Sequence, residues 1–210
     1  MTDITIHRII DILKDLNALE IKNIPHNLKY SALQNAKLDV LNCSNCSLKS
    51  IHSHKVFGEG NPYASLMIIG DPPDENEEKL STPFVGAHGD IFSSLINKLG
   101  LKRSDIYITN IIKCRPDNLI HDDLSNCLIH LNKQIEIICP SIIMTMGDTA
   151  AKFLLSTDKD VSEIRGKFYD YNGIKVMPTF HTSTFISLNN LKSLTWSDAQ
   201  LILKELKLSA

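Results

Sequence analysis

The stretch Leu66-Met-Ile-Ile-Gly70-Asp71-Pro72-Pro73, followed by an acidic run and then Thr82-Pro83-Phe84-Val-Gly86-Ala-His-Gly89, decides how this chain is read. A short unbroken apolar run bounded by turn residues has the pattern of a buried strand. Here the run stops at Gly70 and opens into an acidic, proline-punctuated loop that ends on an aromatic residue framed by Pro83 and Gly86. In parallel α/β sheets, ligands sit just beyond the carboxyl ends of the strands. That loop is therefore a candidate site.

Working outward, the rest of the chain supplies the same pattern again. Asp90 to Leu99 reads as an amphipathic helix stopped by Gly100, and the β-branched run from Asp105 to Ile112 reads as a second strand. Lys113-Cys-Arg-Pro116 closes that strand, and a helix runs from Asp122 or Asp123 to Ile138, with Cys127 in its first turns. Ser141 to Met146 is a third strand and Asp148 to Leu155 a short helix. Ile174 to Pro178 is a fourth strand leading into His181, and Trp196 to Leu208 is a closing helix. Strands alternating with helices imply parallel βαβ units. Four strand ends then deliver Asp71, Asn110, Gly147 and His181 to one rim of the sheet.

Upstream, Ile6, Ile9, Ile10, Leu13 and Leu16 fall at helical spacing over residues 2–20, and a second helical piece is expected near Asn27 to Leu38. Residues 1–42 are accordingly expected to be a helical extension, and residues 43–210 the main domain. The 43% hydrophobic and 22% charged composition is that of an ordinary globular protein. No apolar run approaches the ~20 residues of a membrane span. The first residues lack the basic start and apolar core of an export signal, so a cytoplasmic chain is expected.

A net charge of −2 and a pI near 6.4 argue against a long phosphate-binding groove, though a small basic footprint fits. Five cysteines without an export signal point to a metal site and a leftover thiol rather than to disulfides. Cys43-Ser-Asn-Cys46 alone fits a metal site, a redox pair or coincidence equally well.

Taken together, the residues resemble a known family, the iron–sulfur (family 4) uracil-DNA glycosylases. The resemblance rests on Cys43-x-x-Cys46-x-Leu48, Gly58-Glu-Gly-Asn-Pro62, Gly70-Asp-Pro-Pro73 with Glu77, and Pro83-Phe-Val-Gly86 with Gly89. It continues through Tyr107-Ile-Thr-Asn110, Lys113-Cys-Arg-Pro116, Cys127, Gln134, Pro140, Gly147, Arg165-Gly-Lys167 and Pro178-x-x-His181. So many ordered matches are far more specific than any one of them.

The resemblance implies a three-layer α/β sandwich around a central four-stranded parallel sheet. It also implies hydrolysis of the N-glycosidic bond of uracil in DNA, by an enzyme expected to act as a monomer. By the same resemblance Cys43, Cys46, Cys114 and Cys127 hold a [4Fe–4S] cluster, where spacing alone would equally serve a four-thiolate zinc site. Cys139 is left as a small core residue.

Within the pocket the resemblance makes Phe84 the stacking face, beside Gly70. Asn110 reads the base edge, accepting from uracil N3–H and donating to O4. Glu77 lies near the C5 edge, although on sequence alone it reads as a solvated carboxylate within the run Asp74 to Glu78. His181 becomes the donor to uracil O2, and Asp71, or the backbone around it, holds the attacking water. Candidate DNA contacts are Lys113, Arg115, Arg165, Lys167, Ser183 and Thr184, with Phe185 and Ile186 as an apolar wedge. A relative of the same fold with weakened catalysis and retained nucleic-acid binding is the alternative.

The chain departs from the family pattern at several points. Asp71 stands where a glutamate is usual and is shorter by ~1.5 Å of reach. Asp74 replaces a glycine, so strain is expected in a turn that wants positive φ. Pro72 offers no N–H, Thr182 replaces a proline, and the Cys114–Cys127 interval is shorter than usual.

Overall fold

A computed structural model describes residues 11–12, 26–50, 54–118, 120–187 and 190–208. The helix expected over residues 2–20 lies outside these apart from Asp11 and Ile12, which are helical. Strands β1 (Glu59–Gly60), β2 (Leu66–Gly70), β3 (Tyr107–Asn110), β4 (Ile142–Met146), β5 (Tyr169–Tyr171) and β6 (Ile174–Thr179) form one sheet in the order β1-β3-β2-β4-β6-β5. The four expected strands are its parallel centre, and the two short edge strands, β1 and β5, pair antiparallel. The sheet is thus mixed, with six strands rather than four. Sequence missed the edges because two or three residues carry no measurable alternation.

Helices cover both faces: α1 (His26–Leu41), α2 (Glu75–Leu80), α3 (Gly86–Lys98), α4 (His121–Ile138), α5 (Asp148–Leu155), α6 (Val161–Ile164), α7 (Thr184–Ser187) and α8 (Asn190–Leu208). Along β2 successive side chains alternate between two cores, as the pleat requires. Met67 and Ile69 pack with Ala32, Ala36 and Val40 of α1, Leu131 and Ile135 of α4 and Ala150 of α5. Leu66 and Ile68 pack with Phe92 and Ile96 of α3 and Ala199 and Ile202 of α8. A strand buried on both faces has to be apolar at every position, which is why β2 and β4 read as unbroken hydrophobic runs.

The register sets the rim. Gly70 pairs with Asn110 on one side and Met146 on the other, and Met146 pairs with Thr179. The last residues of all four parallel strands therefore lie level, and the chain segments that leave them are neighbours.

The acidic run after Pro73 is not a loop but helix α2. Asp74 caps it at φ −87°, accepting from the Glu77 N–H at 2.8 Å, while Glu77 Oε2 accepts from the Asp74 N–H at 2.8 Å. This reciprocal capping box explains the aspartate: at a helix start an extended backbone and a short carboxylate are favoured, so the expected strain is absent. The Asp-x-x-Glu spacing was the available signal. Helices α3 and α8 also begin earlier than the sequence suggested, at Gly86 and Asn190.

Candidate active site and cysteine cavity

The rim assembles Gly70, Phe84, Asn110 and His181. Asn110 is fully buried at the end of β3. Its Nδ2 donates to the Asp71 carbonyl at 2.9 Å and to Glu77 Oε1 at 3.3 Å. Both partners are acceptors, so they fix which way the amide points. The nitrogen, expected to serve uracil O4, is thereby committed inside the protein. Oδ1 is buried with no hydrogen-bond partner among the described residues, and so remains an uncommitted acceptor.

Phe84 is 2% exposed and sits at φ 50°, a strained value for a bulky residue. Its ring lies 4.4 Å from that of Phe92 and 5.4 Å from that of His181, measured between centroids. Gly70 makes this possible, since a Cβ there would come within 2.7 Å of the Phe84 ring. The strained backbone is gripped at both ends. Glu77 Oε1 accepts from the Phe84 N–H at 2.5 Å, and Arg103 donates to the carbonyls of Pro83 and Phe84 at 2.7 and 3.2 Å. Arg103 is itself anchored by Glu59 on edge strand β1 and lies over the Phe92 ring.

Glu77, read from sequence alone as solvated, is 6% exposed, and burial raises its carboxyl above the usual range. It binds Asp74, Phe84 and Asn110 together. Arg103 was missed entirely, because an arginine in a Lys-Arg-Ser-Asp turn looks like a surface charge.

His181 follows β6, partly buried, with Nδ1 2.8 Å from Ser183 Oγ and 3.3 Å from the Ser183 backbone nitrogen. A backbone N–H can only donate, so Nδ1 accepts and the ring proton sits on Nε2. Burial, and then the charge of His88, hold the imidazole at about 4, so it is a neutral donor at physiological pH. His88, 6.4 Å from His181 between ring centroids, is a second histidine at this rim that sequence reading did not single out.

Asp71 lies at the start of α5, where its Oδ1 accepts the Ala150 N–H at 2.9 Å. Gly147 has to be glycine: its φ is 112°, and a Cβ would meet the Asp71 carboxylate at 2.1 Å. Burial pushes the Asp71 carboxyl up to about 6 against the lowering effect of the Ala150 N–H, and Asp148 adds to the rise.

The candidate DNA contacts divide. Lys167 is exposed. Arg165 is committed to both carboxylate oxygens of the buried Asp198, at 3.0 and 2.6 Å, and Asp198 also accepts from Thr179. It therefore ties the end of β6 to α8 rather than offering a guanidinium to phosphate. Arg115 is paired with Glu78 and Asp117 and stays partly exposed. Lys113 is buried, donating to Thr109 Oγ1 at 2.6 Å and to the Asn110 carbonyl at 2.8 Å, out of reach of DNA. Ser183 and Thr184 bond to His181. Phe185 is 4% exposed and packed inside, which removes it as a wedge, and the Ile186 side chain lies outside the described residues.

Behind Asn110, four of the five cysteines line one cavity: Cys43 and Cys46 before the sheet, Cys114 after β3, and Cys127 on α4. Lys55, Lys113 and His130 share its walls. Burial, and then Cys127, push the Cys114 thiol up to about 12, and burial also raises that of Cys127. Lys55 opposes the first shift and Lys113 the second, as cations placed to offset thiolate charge would. Among the described residues, no three Cys, His, Asp or Glu side chains close on a point as a single metal ion requires. Cys139 stands apart, ending α4 with its thiol donating to the Glu136 carbonyl at 2.7 Å.

No helix among the described residues is long and apolar enough to cross a membrane. A sequence model of the uracil DNA glycosylase superfamily matches residues 57–200, which contain the whole sheet. The type-4 uracil-DNA glycosylase of Sulfurisphaera tokodaii is 36% identical over 179 residues, 80% of this chain and 81% of that protein. Its counterpart from Saccharolobus solfataricus is 40% identical over 68% of this chain and 72% of its own length. That from Thermotoga maritima is 35% identical over 77% and 88%. Similarity of this extent places the chain in the uracil DNA glycosylase superfamily and, within it, among the type-4 uracil-DNA glycosylases.

Proposed function

We propose that the chain hydrolyses the N-glycosidic bond of uracil in DNA and leaves an abasic site. The observation that carries this is the pair of directed polar atoms at the rim, Asn110 Oδ1 as acceptor and His181 Nε2–H as donor, flanking the Phe84 ring. A uracil in a duplex has to be extruded for its glycosidic bond to be reached. Stacked near Phe84, it presents N3–H to Asn110 Oδ1. Cytosine carries a lone pair at N3, so the two acceptors would face each other across a buried contact, a strong basis for rejection.

Bond cleavage moves the C1′–N1 electron pair onto the base, where charge gathers at O2. The neutral His181 Nε2–H stabilises that charge as it develops. Asp71 positions the water whose oxygen adds to C1′ and offsets positive charge on the sugar, by analogy with glycoside hydrolysis. The grip of Glu77 and Arg103 on Phe84 keeps the stacking face in place, and in this reading Glu77 also closes the C5 edge by fixing its neighbours. Lys167, Arg115 and the exposed side of Ser183 are the remaining candidates for phosphate contact.

We also read the cysteine cavity as the seat of a [4Fe–4S] cluster held by Cys43, Cys46, Cys114 and Cys127. Family membership and four thiols on one cavity support this reading over zinc. When bound, such a cluster cross-links the segment before the sheet to the chain just beyond Asn110. A cytoplasmic monomer acting on uracil-containing DNA completes the proposal.

An oligonucleotide bearing one uracil, treated with the protein and then with alkali, tests it. Strand cleavage that Asn110→Ala abolishes is the expected result. Binding without cleavage would favour the weakened relative, for which the shortened Asp71 anchored on α5 is the structural argument.

A further inference from the structure

One polar group in the cysteine cavity is unused by the reading above. His130 stands on α4 about one turn beyond Cys127 and is 7% exposed. Its Nε2 is sealed from solvent and has no hydrogen-bond partner among the described residues. Such a group is rare in a native interior and calls for an explanation.

The walls around it narrow the choice. Lys55 is donor-only and already serves the carbonyls of Leu41 and Cys43, and Lys113 serves Thr109 and Asn110. Asn45 and Asn126 are exposed. Among the described residues that line the cavity, the other candidate partners are the sulfurs of Cys43, Cys46, Cys114 and Cys127. Ligated sulfur accepts hydrogen bonds and does not donate them, which selects the imidazole tautomer carrying its proton on Nε2.

We propose that His130 donates Nε2–H to a sulfur of the iron–sulfur cluster and so tunes its electron affinity and its retention. The inference rests on the cofactor reading above. A hydrogen bond to sulfur favours the more negatively charged, reduced state, and so raises the reduction potential. It also holds the ligand thiolates against solvent attack, and losing an outer partner of this kind typically costs ~10-fold in metal retention.

The test compares wild type, His130→Phe and His130→Gln after iron and sulfide analysis of each. His130→Phe removes the donor while filling the space. It is expected to shift the midpoint potential to more negative values and to bleach ~10-fold faster near 400 nm under an iron chelator. His130→Gln keeps an N–H and should recover part of both losses.

Pulsed EPR of protein labelled with 15N-histidine supplies a check that does not depend on the variants' stability. A nitrogen coupling to the paramagnetic cluster is expected in wild type, and its absence would overturn the proposal. Unchanged potential and unchanged iron loss in fully loaded His130→Phe would overturn it as well. Wild-type protein lacking iron and sulfide would instead remove the cofactor reading, and the inference with it.

Discussion

Two sites meet near the end of β3, the base-pocket rim and the cysteine cavity, and they are built in opposite ways. At the base-pocket rim nearly every polar group is bound to another: Glu77 to Asp74, Phe84 and Asn110, and Arg103 to Glu59, Pro83 and Phe84. Among the described residues, Asn110 Oδ1, His88 Nδ1 and Thr182 Oγ1 are the buried atoms there left without a partner. The cysteine cavity shows the reverse, with thiols whose burial disfavours the thiolate and a histidine nitrogen that has no partner among the described residues. A pocket that must discriminate has to be rigid before its substrate arrives. A cavity that binds a cofactor permanently can leave its satisfaction to the cofactor.

Lys113 joins the two. Its backbone N–H reaches Cys127 Sγ at 3.3 Å, and its ammonium holds the Asn110 carbonyl.

If the two sites are separable in function, variants should split cleanly. Cys114→Ser is expected to abolish absorbance near 400 nm, measured spectroscopically on purified protein. Asn110→Ala should leave that absorbance intact and lower kcat/KM on uracil-containing DNA by ~10³-fold or more, because the proposed edge acceptor is lost. Equal loss of both signals in Asn110→Ala would mean that the two sites form one folding unit.

Next in size is His181→Ala, expected to lower single-turnover kcat by ~10²-fold with DNA affinity retained, as for loss of one donor to developing charge. A pure affinity defect in a gel-shift titration would remove His181 from the chemistry.

Asp71 gives an effect on stability with a defined sign. Its carboxyl rises from 3.8 unfolded to about 6 folded, so the fold binds this proton more tightly than the open chain does. The stability this confers is present below pH ~4 and is lost as pH rises through ~6. Activity that needs the carboxylate should therefore fall on the acid side with a midpoint near 6. Asp71→Asn should be inactive yet more resistant to urea at pH 8, by roughly 1–3 kcal/mol. An acid limb that persists in Asp71→Asn residual activity would assign it elsewhere. His181, already neutral above about 4, cannot supply it.

Arg103→Met frees the carbonyls that hold Phe84 at positive φ without touching the base. A ~10-fold fall in kcat with little change in KM is expected, since slight misplacement of a positioned group lowers rate. Lys167→Ala, by contrast, should weaken DNA binding severalfold and reduce its salt slope by about one.

Much of this was legible in the chain. Strands β2, β3, β4 and β6 and the order of the rim residues followed from apolar runs ending at Gly70, Asn110, Gly147 and His181. Burial on both faces forces an unbroken hydrophobic pattern that needs no tertiary knowledge to see. The edge strands, too short for any pattern, were not legible, nor was helix α2, whose capping box was masked by the charge of its acidic run.

Sequence by itself determined which residue types the site contains: an aromatic, an amide, a histidine, an acid and four thiols in order. Only the tertiary structure decided which atoms of those residues are available. It committed the Asn110 nitrogen and the Arg165 guanidinium to internal partners, buried Lys113 and Phe185, and turned Glu77 from a surface charge into the brace of the pocket. The reason is that hydrogen-bond and ion-pair partners are set by long-range packing. Arg165 lies 33 residues from Asp198 and Asn110 lies 33 from Glu77, separations over which local sequence carries no record of contact.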